Sequence, residues 1–165
     1  MAFQIKPLRP VEQNELFFRL YLKREGCDSN DKTIVNSNEH MEFGLVLASD
    51  LPIYDGFGPE ANLVARLQGL QSQAGKLTDG WQASVNIVFE DERFNGSTLH
   101  VMGTGLHKRE WAIVGGTGEF TLAQGIMYNL LMYGEFQEIE LRALYTPMKK
   151  VPWTLGVPGD TASQT

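Results

Sequence analysis

The segment Gly115-Gly116-Thr117-Gly118-Glu119-Phe120 sets an acid inside a backbone that must bend. Three glycines within four residues mark a chain that needs positive φ or the close approach of another segment. Glu119, at that bend, and Asp50, which follows an apolar run, are the two carboxylates placed for acid–base work. They would perform it by converging at one mouth with shifted pKa values. The alternative is structural: Asp50 caps a turn and Glu119 faces solvent. Tyr21, Trp81, Tyr128 and Tyr133 are amphipathic and fall in strand-like runs. Such rings pack in a core or stack on a planar or sugar ring.

Other chemistries find no pattern. Gly116 and Gly118 have the first spacing of a dinucleotide fingerprint, but Thr121 stands where a third glycine belongs and no helix of useful length follows. Gly75-Lys76 lacks the preceding glycine and following hydroxyl of a phosphate-binding loop. His40, His100, His107 and Cys27 show no ligand spacing, so no metal is expected. There is no Gly-x-Ser-x-Gly elbow, and Cys27 sits in a polar stretch without catalytic context.

A length of 165 residues predicts one domain with one real core. The net charge of -6, with no basic stripe, argues against a nucleic-acid partner. A single cysteine excludes an intrachain disulfide. Residues 1–10 lack the apolar segment of a secretory leader, and the mostly apolar run Ile126 to Tyr133 is too short to span a bilayer. A cytoplasmic location without membrane contact is the expectation. Asn95-Gly96-Ser97 fits a glycosylation sequon but reads better as an Asn-Gly turn.

The elements that would position these residues follow a period of two. Strands are predicted at 16–23, 42–48, 63–73, 81–90, 97–105, 110–114, 124–133 and 136–145. In the first, Phe18, Leu20 and Leu22 oppose Phe17, Arg19, Tyr21 and Lys23. Residues 25–38 read as a loop, the second strand ends at Ser49-Asp50-Leu51-Pro52, and Phe120 to Ala123 reads as one helical turn. Eight short strands with almost no helical periodicity predict an all-β chain, an eight-stranded antiparallel up-and-down β-barrel. Such a barrel is wide enough for one small ligand. Both faces of 63–73 carry polar residues, which leaves open which one lines the lumen. The barrel domain is placed at 1–147, and 148–165 reads as a tail or interdomain linker.

Several blocks carry a family resemblance. They are Asp50-Leu51-Pro52, Asp55-Gly56, Arg66-Leu67-Gln68-Gly69-Leu70, Phe94 to Leu99, Val101-Met102-Gly103, Trp111 to Phe120 and Ala123-Gln124-Gly125. In order and spacing, from about residue 16 to 147, the chain resembles the plant dirigent domain. The resemblance implies an eight-stranded barrel of the kind shared with allene oxide cyclase, usually oligomeric. It implies secreted proteins that steer phenoxy-radical coupling without an oxidant of their own, or in some members eliminate water from a quinone-methide-like intermediate. The polar residues tied to that work are an Asp in a His-Asp pair on the first strand, an acid in the glycine block and an Arg just after it. Here Leu20-Tyr21 stand where the pair would fall and Gln124 replaces the Arg, while Glu119 matches the acid. Losing the Arg removes a fixed cation and a five-donor fork. With no leader and no disulfide pair, these departures resemble the dirigent-like domains that precede a jacalin-related lectin in monocot chimeras, which are cytoplasmic defence and stress proteins.

The expectation is therefore a non-catalytic barrel that binds a small ligand, a saccharide, with no cofactor. The residues expected to supply its hydrogen bonds and stacking ring are Arg19, Tyr21, Asp50, Arg66, Gln68, Trp81, Glu119, Gln124 and Tyr128. Two alternatives stand beside it: an auxiliary of monolignol radical coupling with a phenylpropanoid ligand, and an oligomerising spacer for a covalently linked jacalin-like lectin domain. A homo-oligomer, dimer or trimer, is expected in each case.

Overall fold

Alternating burial gives the strands an inside and an outside. A computed structural model of the chain describes residues 12–24, 30–76, 80–105 and 110–147. In β1 (Asn14–Lys23), Leu16, Leu20 and Leu22 are buried while Phe17 and Arg19 are exposed. The same period runs through β4 (Leu63–Gln73) and β5 (Trp81–Phe89), where Ala65, Leu67, Ala83, Val85 and Ile87 are buried. The remaining strands are β2 (Asp31–Val35), β3 (Val46–Tyr54), β6 (Thr98–Thr104), β7 (Glu110–Thr117), β8 (Gln124–Tyr133) and β9 (Phe136–Tyr145).

The strands pair antiparallel in the order β1-β9-β8-β7-β6-β5-β4-β3, and β3 returns to β1 through Tyr21↔Tyr54 and Leu22↔Ile53. That contact closes an eight-stranded antiparallel barrel, as the strand spacing predicts. Its buried positions form one core. Phe18, Phe89, Phe94, Phe120 and Tyr145 plug one end, with ring centroids 5.0–6.2 Å apart among the first four and Tyr145 5.5 Å from Phe120.

Three local readings need correction. The predicted loop at 25–38 contains β2, an added strand on the free flank of β3, bonded at Asp31↔Ser49 through Val35↔Val46. The second strand does not end near Ser49: β3 runs on through Pro52 to Tyr54. Asp50 donates its N–H to the Asn30 carbonyl at 2.8 Å, so Pro52, two residues on, turns its missing donor to that same flank. There β2 has ended and β1 has not yet begun to pair, so no bond is lost. The bend in the glycine run comes later than expected. β7 bulges at Val114, continues to Thr117, and turns in a 3-10 segment at Gly118–Phe120. The predicted tail at 148–165, the residue Cys27 and the link His107-Lys108-Arg109 lie outside the described residues.

The glycines in the run serve two different needs. Gly118 has φ of +65°, a left-handed position. Gly116 lies against backbone: a Cβ there would fall 2.7 Å from the Thr98 carbonyl oxygen and closer still to that of Phe120.

Outside the barrel, the β1–β9 seam carries a ladder of charges. Arg19 pairs with Glu138 at 3.2 Å and with Glu140 at 3.4 Å, and Arg142 Nε meets Glu140 at 2.6 Å. The Arg142 hydrogen bond holds the Glu140 carboxyl below the usual carboxylate range, burial works against it, and Arg19 adds to the lowering.

Gly116→Ala is expected to cost about 1–3 kcal/mol because only backbone can give way, which is roughly 2–4 °C of Tm per kcal/mol for a chain of this size. An unchanged Tm in calorimetry would show that Phe120 and Thr98 do not pin this residue. Glu140 binds fewer protons folded than unfolded, so its contribution is present above the ordinary carboxylate pKa of about 4.3 and is lost as pH falls through the lowered folded value. Glu140→Gln should therefore flatten the acid limb of Tm against pH. An acid limb as steep as that of the parent chain would rule the ladder out as its source.

Candidate functional site

The inner wall of the barrel changes character along its axis. Toward the aromatic plug it is hydrocarbon. Toward the opposite end, where β4 finishes and β5 begins, amides and indoles replace the aliphatic side chains. Ser49, Gln71 and Gln73 are 4%, 5% and 3% exposed, buried as deeply as the core leucines. Gln71 donates from Nε2 to Ser49 Oγ at 2.7 Å. Trp81 faces Gln73 across the β4–β5 pair and so shares its inward face. Asn129 is paired with buried Ile139 and Gln137 with buried Leu22, which turns both inward. Gln137 Nε2 donates to Asn129 Oδ1 at 3.4 Å.

Trp111 completes this wall. It lies flat against Gly103, where a Cβ would run into the indole ring, so the glycine makes the ring's seat. The indole is 7% exposed, and its Nε1–H is buried with no protein acceptor. A buried donor without a partner carries a desolvation cost of roughly 1–3 kcal/mol. A ligand or water that accepts from it would recover that cost.

Charge is sparse on this wall. Among the described residues of β1 and β3 to β9 no inward-facing strand position holds Asp, Glu, Lys or Arg, but β2 brings one: Asp31 pairs with Ser49 and so shares its inward face, and its Oδ1 is buried without a partner. Arg24, just past the end of β1, reaches Gln137 Oε1 from Nε at 3.2 Å and marks the rim. Low dielectric explains the pattern: an unpaired charge in the lumen would lose its hydration.

The nine residues expected to bind ligand are divided between faces. Trp81 is on the inner wall. Arg19 and Tyr21 are on the outer face of β1, with Arg19 held by Glu138 and Glu140 and Tyr21 edge-on to Phe57 at 5.3 Å. Asp50, Arg66 and Gln68 meet on the outer face of β3 and β4. Arg66 Nε and Gln68 Nε2 donate to the same Asp50 oxygen at 2.7 and 3.2 Å. The Arg66 hydrogen bond holds Asp50 below the usual carboxylate range, partial burial opposes it, and Gln68 reinforces it. A carboxylate so satisfied is a poor proton acceptor near neutral pH. Gln124 and Tyr128 lie on the outer face of β8. Glu119 is in the 3-10 turn at the plugged end, its backbone N–H donating to Ser97 Oγ at 3.1 Å. Asp50 and Glu119 thus belong to separate clusters, not to one acid–base pair.

The wall residues missed from sequence were Ser49, Gln71, Gln73, Trp111, Asn129 and Gln137. A signal was present: Gln71 and Gln73 share the parity of Ala65 and Leu67. A hollow sits beside the plug, a pocket of about 130 Å³ lined by Phe18, Leu20, Val64, Phe89, Phe94 and Asp91. Asp91 Oδ2 accepts the Arg93 N–H at 3.2 Å, while Oδ1 is buried without a partner. No group of three His, Cys, Asp or Glu among the described residues is arranged to hold a metal.

Comparison with known proteins gives the family. The Dirigent-like protein family model matches residues 15–137. The chain is 40% identical over 86 residues to Dirigent protein 11 of Arabidopsis thaliana, covering 50% of this chain and 45% of that protein. It is 36% identical over 93 residues to Pterocarpan synthase 1 of Glycine max, covering 54% and 50%. The chain thus spans about half the length of the curated relatives it matches. The solved pterocarpan synthase dirigent protein GePTS1 superposes with a TM-score of 0.71 at 22% identity, over 87% of this chain and 92% of that one, a likeness of fold. Family model, barrel closure and strand order agree, and the chain belongs to the dirigent-like protein family.

Proposed function

We propose that this dirigent-like chain is a non-catalytic binding barrel whose amide-and-indole inner wall takes a small neutral saccharide. The observation that carries the reading is the wall itself: five polar uncharged side chains and two indoles, with Asp31 of β2 as the one charged residue at an inward strand position among the described residues. Sugar hydroxyls need donors and acceptors together, and a carboxamide supplies both. An indole offers a flat apolar face and one N–H. A neutral ligand leaves water without the penalty a carboxylate or ammonium would incur. Acid–base chemistry needs a titratable group beside the reacting atom, and this wall offers only Asp31, at its β2 margin. The plant-defence setting, the cytoplasmic location and a covalently linked jacalin-like lectin domain are part of the proposal and rest on the sequence resemblance alone.

A second reading has its own observation. The pocket beside the plug is walled by three phenyl rings, with one unpaired carboxylate oxygen of Asp91. A phenylpropanoid ring would lie edge-on to those rings and donate its phenol to Asp91. In that role the chain would steer coupling of phenoxy radicals generated by an external oxidant. Two relatives bearing the name pterocarpan synthase keep this alternative in view.

The oligomer expectation is also kept as a proposal. Across the outer face a row of paired residues, Leu70, Ser84, Met102 and Ala112, carries no charge. Leu70 and Met102 are 51% and 42% exposed. Such a face suits a second copy of the chain, and on the spacer reading it would multiply the avidity of an attached lectin.

Calorimetric titration with neutral oligosaccharides should give heat at millimolar concentration. Trp111→Phe keeps an aromatic face, removes the N–H and should weaken that binding about tenfold, the worth of one hydrogen bond, while the smaller ring leaves a gap over Gly103 that lowers Tm. Silence across the sugar panel would overturn the saccharide reading. Coupling of coniferyl alcohol with an added oxidant separates the alternative, because a racemic product leaves it without support. Light scattering should give a dimer or trimer, and a monomer at working concentration would remove the oligomer proposal.

A further inference from the structure

We propose a second, separate saccharide site on the outside of the barrel, in the cleft above the β8–β9–β1 sheet, with a neutral pyranose as its ligand. It extends the saccharide reading to another place, and it rests on that reading for the ligand class only. The cleft encloses about 320 Å³ and is lined by Glu15, Gln124, Ile126, Tyr128, Arg142 and Leu144, over the small residues Gly125 and Ala143. That volume is at the lower end of ligand pockets, about 300–1,000 Å³, and suits one or two sugar rings.

Strand register builds the cleft as three rows. Gln124, Leu144 and Glu15 form the first, Ile126, Arg142 and Phe17 the second, and Tyr128, Glu140 and Arg19 the third. Arg142 is at the centre. Its guanidinium lies 5.3 Å from the Phe17 ring and 5.9 Å from the Tyr128 ring, and its Nε is committed to Glu140 at 2.6 Å. The fork is therefore fixed in orientation while its side chain stays 58% exposed, which presents the terminal amino groups to the cleft.

Four features of the cleft select a neutral polyol. The Tyr128 ring, with Ile126 and Leu144, offers an apolar surface for the C–H face of a pyranose. The Gln124 amide and the Arg142 fork supply donors, and the Glu15 carboxylate and the Gln124 carbonyl supply acceptors. Arg142 already has its counter-charge in Glu140, so no unmatched cation waits for an anion. Glu15 would repel a carboxylate-bearing sugar. The site is separated from the inner wall by the sheet: Gln124 and Tyr128 point out where Met127, between them in parity, points in.

Titrating the isotope-labelled chain with methyl β-galactopyranoside and with cellobiose at millimolar concentration, followed by NMR, tests this. The amides of Gly125, Ile126 and Tyr128 should shift together, with a Kd distinct from that of the Trp111 indole. Gln124→Leu, at an exposed residue, and Tyr128→Ala should each weaken the cleft response tenfold or more. Both should leave the indole response and Tm unchanged. A cleft that responds beside a silent indole keeps this site and overturns the inner-wall reading. The proposal is overturned if the cleft amides stay silent with both sugars, if their shifts survive both variants unchanged, or if galacturonate binds there more tightly than the methyl galactoside.

Discussion

Two residue pairs, Tyr21 with Tyr54 and Leu22 with Ile53, close this molecule. Every other neighbour in the ring is joined by four to ten pairs, so the β1–β3 contact is the narrowest link. Its importance is topological. Without it β1 and β3 would be open edges, ready to pair with another chain, and the sheet would have two faces and no interior. With it, each period-two alternation resolves into lumen and solvent. The location of β2 follows from the same constraint, since β3 is free to accept another strand only along the stretch that β1 does not reach.

Closure then sorts charge. Inside, a lone ion would lose its hydration, so the wall carries mostly amides, a hydroxyl and indoles, with Asp31 of β2 the one charged exception among the described residues. Outside, charges are placed close enough to neutralise one another: Arg19 between two glutamates, Glu140 between two arginines, Asp50 beneath Arg66 and Gln68. The departures of this sequence from the dirigent pattern acquire a physical meaning here. Gln124, which the resemblance would make an Arg, lies outside the barrel in the cleft with Tyr128. Glu119, the retained acid, is at the plugged end beside Ser97.

Strand existence was legible wherever alternation was uninterrupted. The ranges 63–73, 124–133 and 136–145 agree with the structure to the residue. Failures came where a local signal was overruled from a distance. Pro52 reads as a strand end because proline lacks a donor, yet the flank it faces needs none. Residues 31–35 read as loop because Asp31 and Lys32 are polar, yet they pair with β3. Gly115 and Gly116 read as a bend, yet they are strand residues past the bulge at Val114, paired with His100 and Leu99 of β6.

The all-β class and the eight alternating strands of the barrel could be read from period, turn chemistry and short-range spacing, which are written in consecutive residues. The dirigent-like scaffold came instead from the resemblance of whole residue blocks, the glycine block among them. Which parity faces the lumen was settled by long-range strand pairing. It turned Gln71, Gln73 and Trp111 inward and sent Arg19, Asp50, Arg66 and Tyr128 outward. The physical reason is that alternation has no sign. A strand with polar residues on both faces is equally amphipathic read either way, and the choice is made by hydrogen-bond register with neighbours far away in sequence.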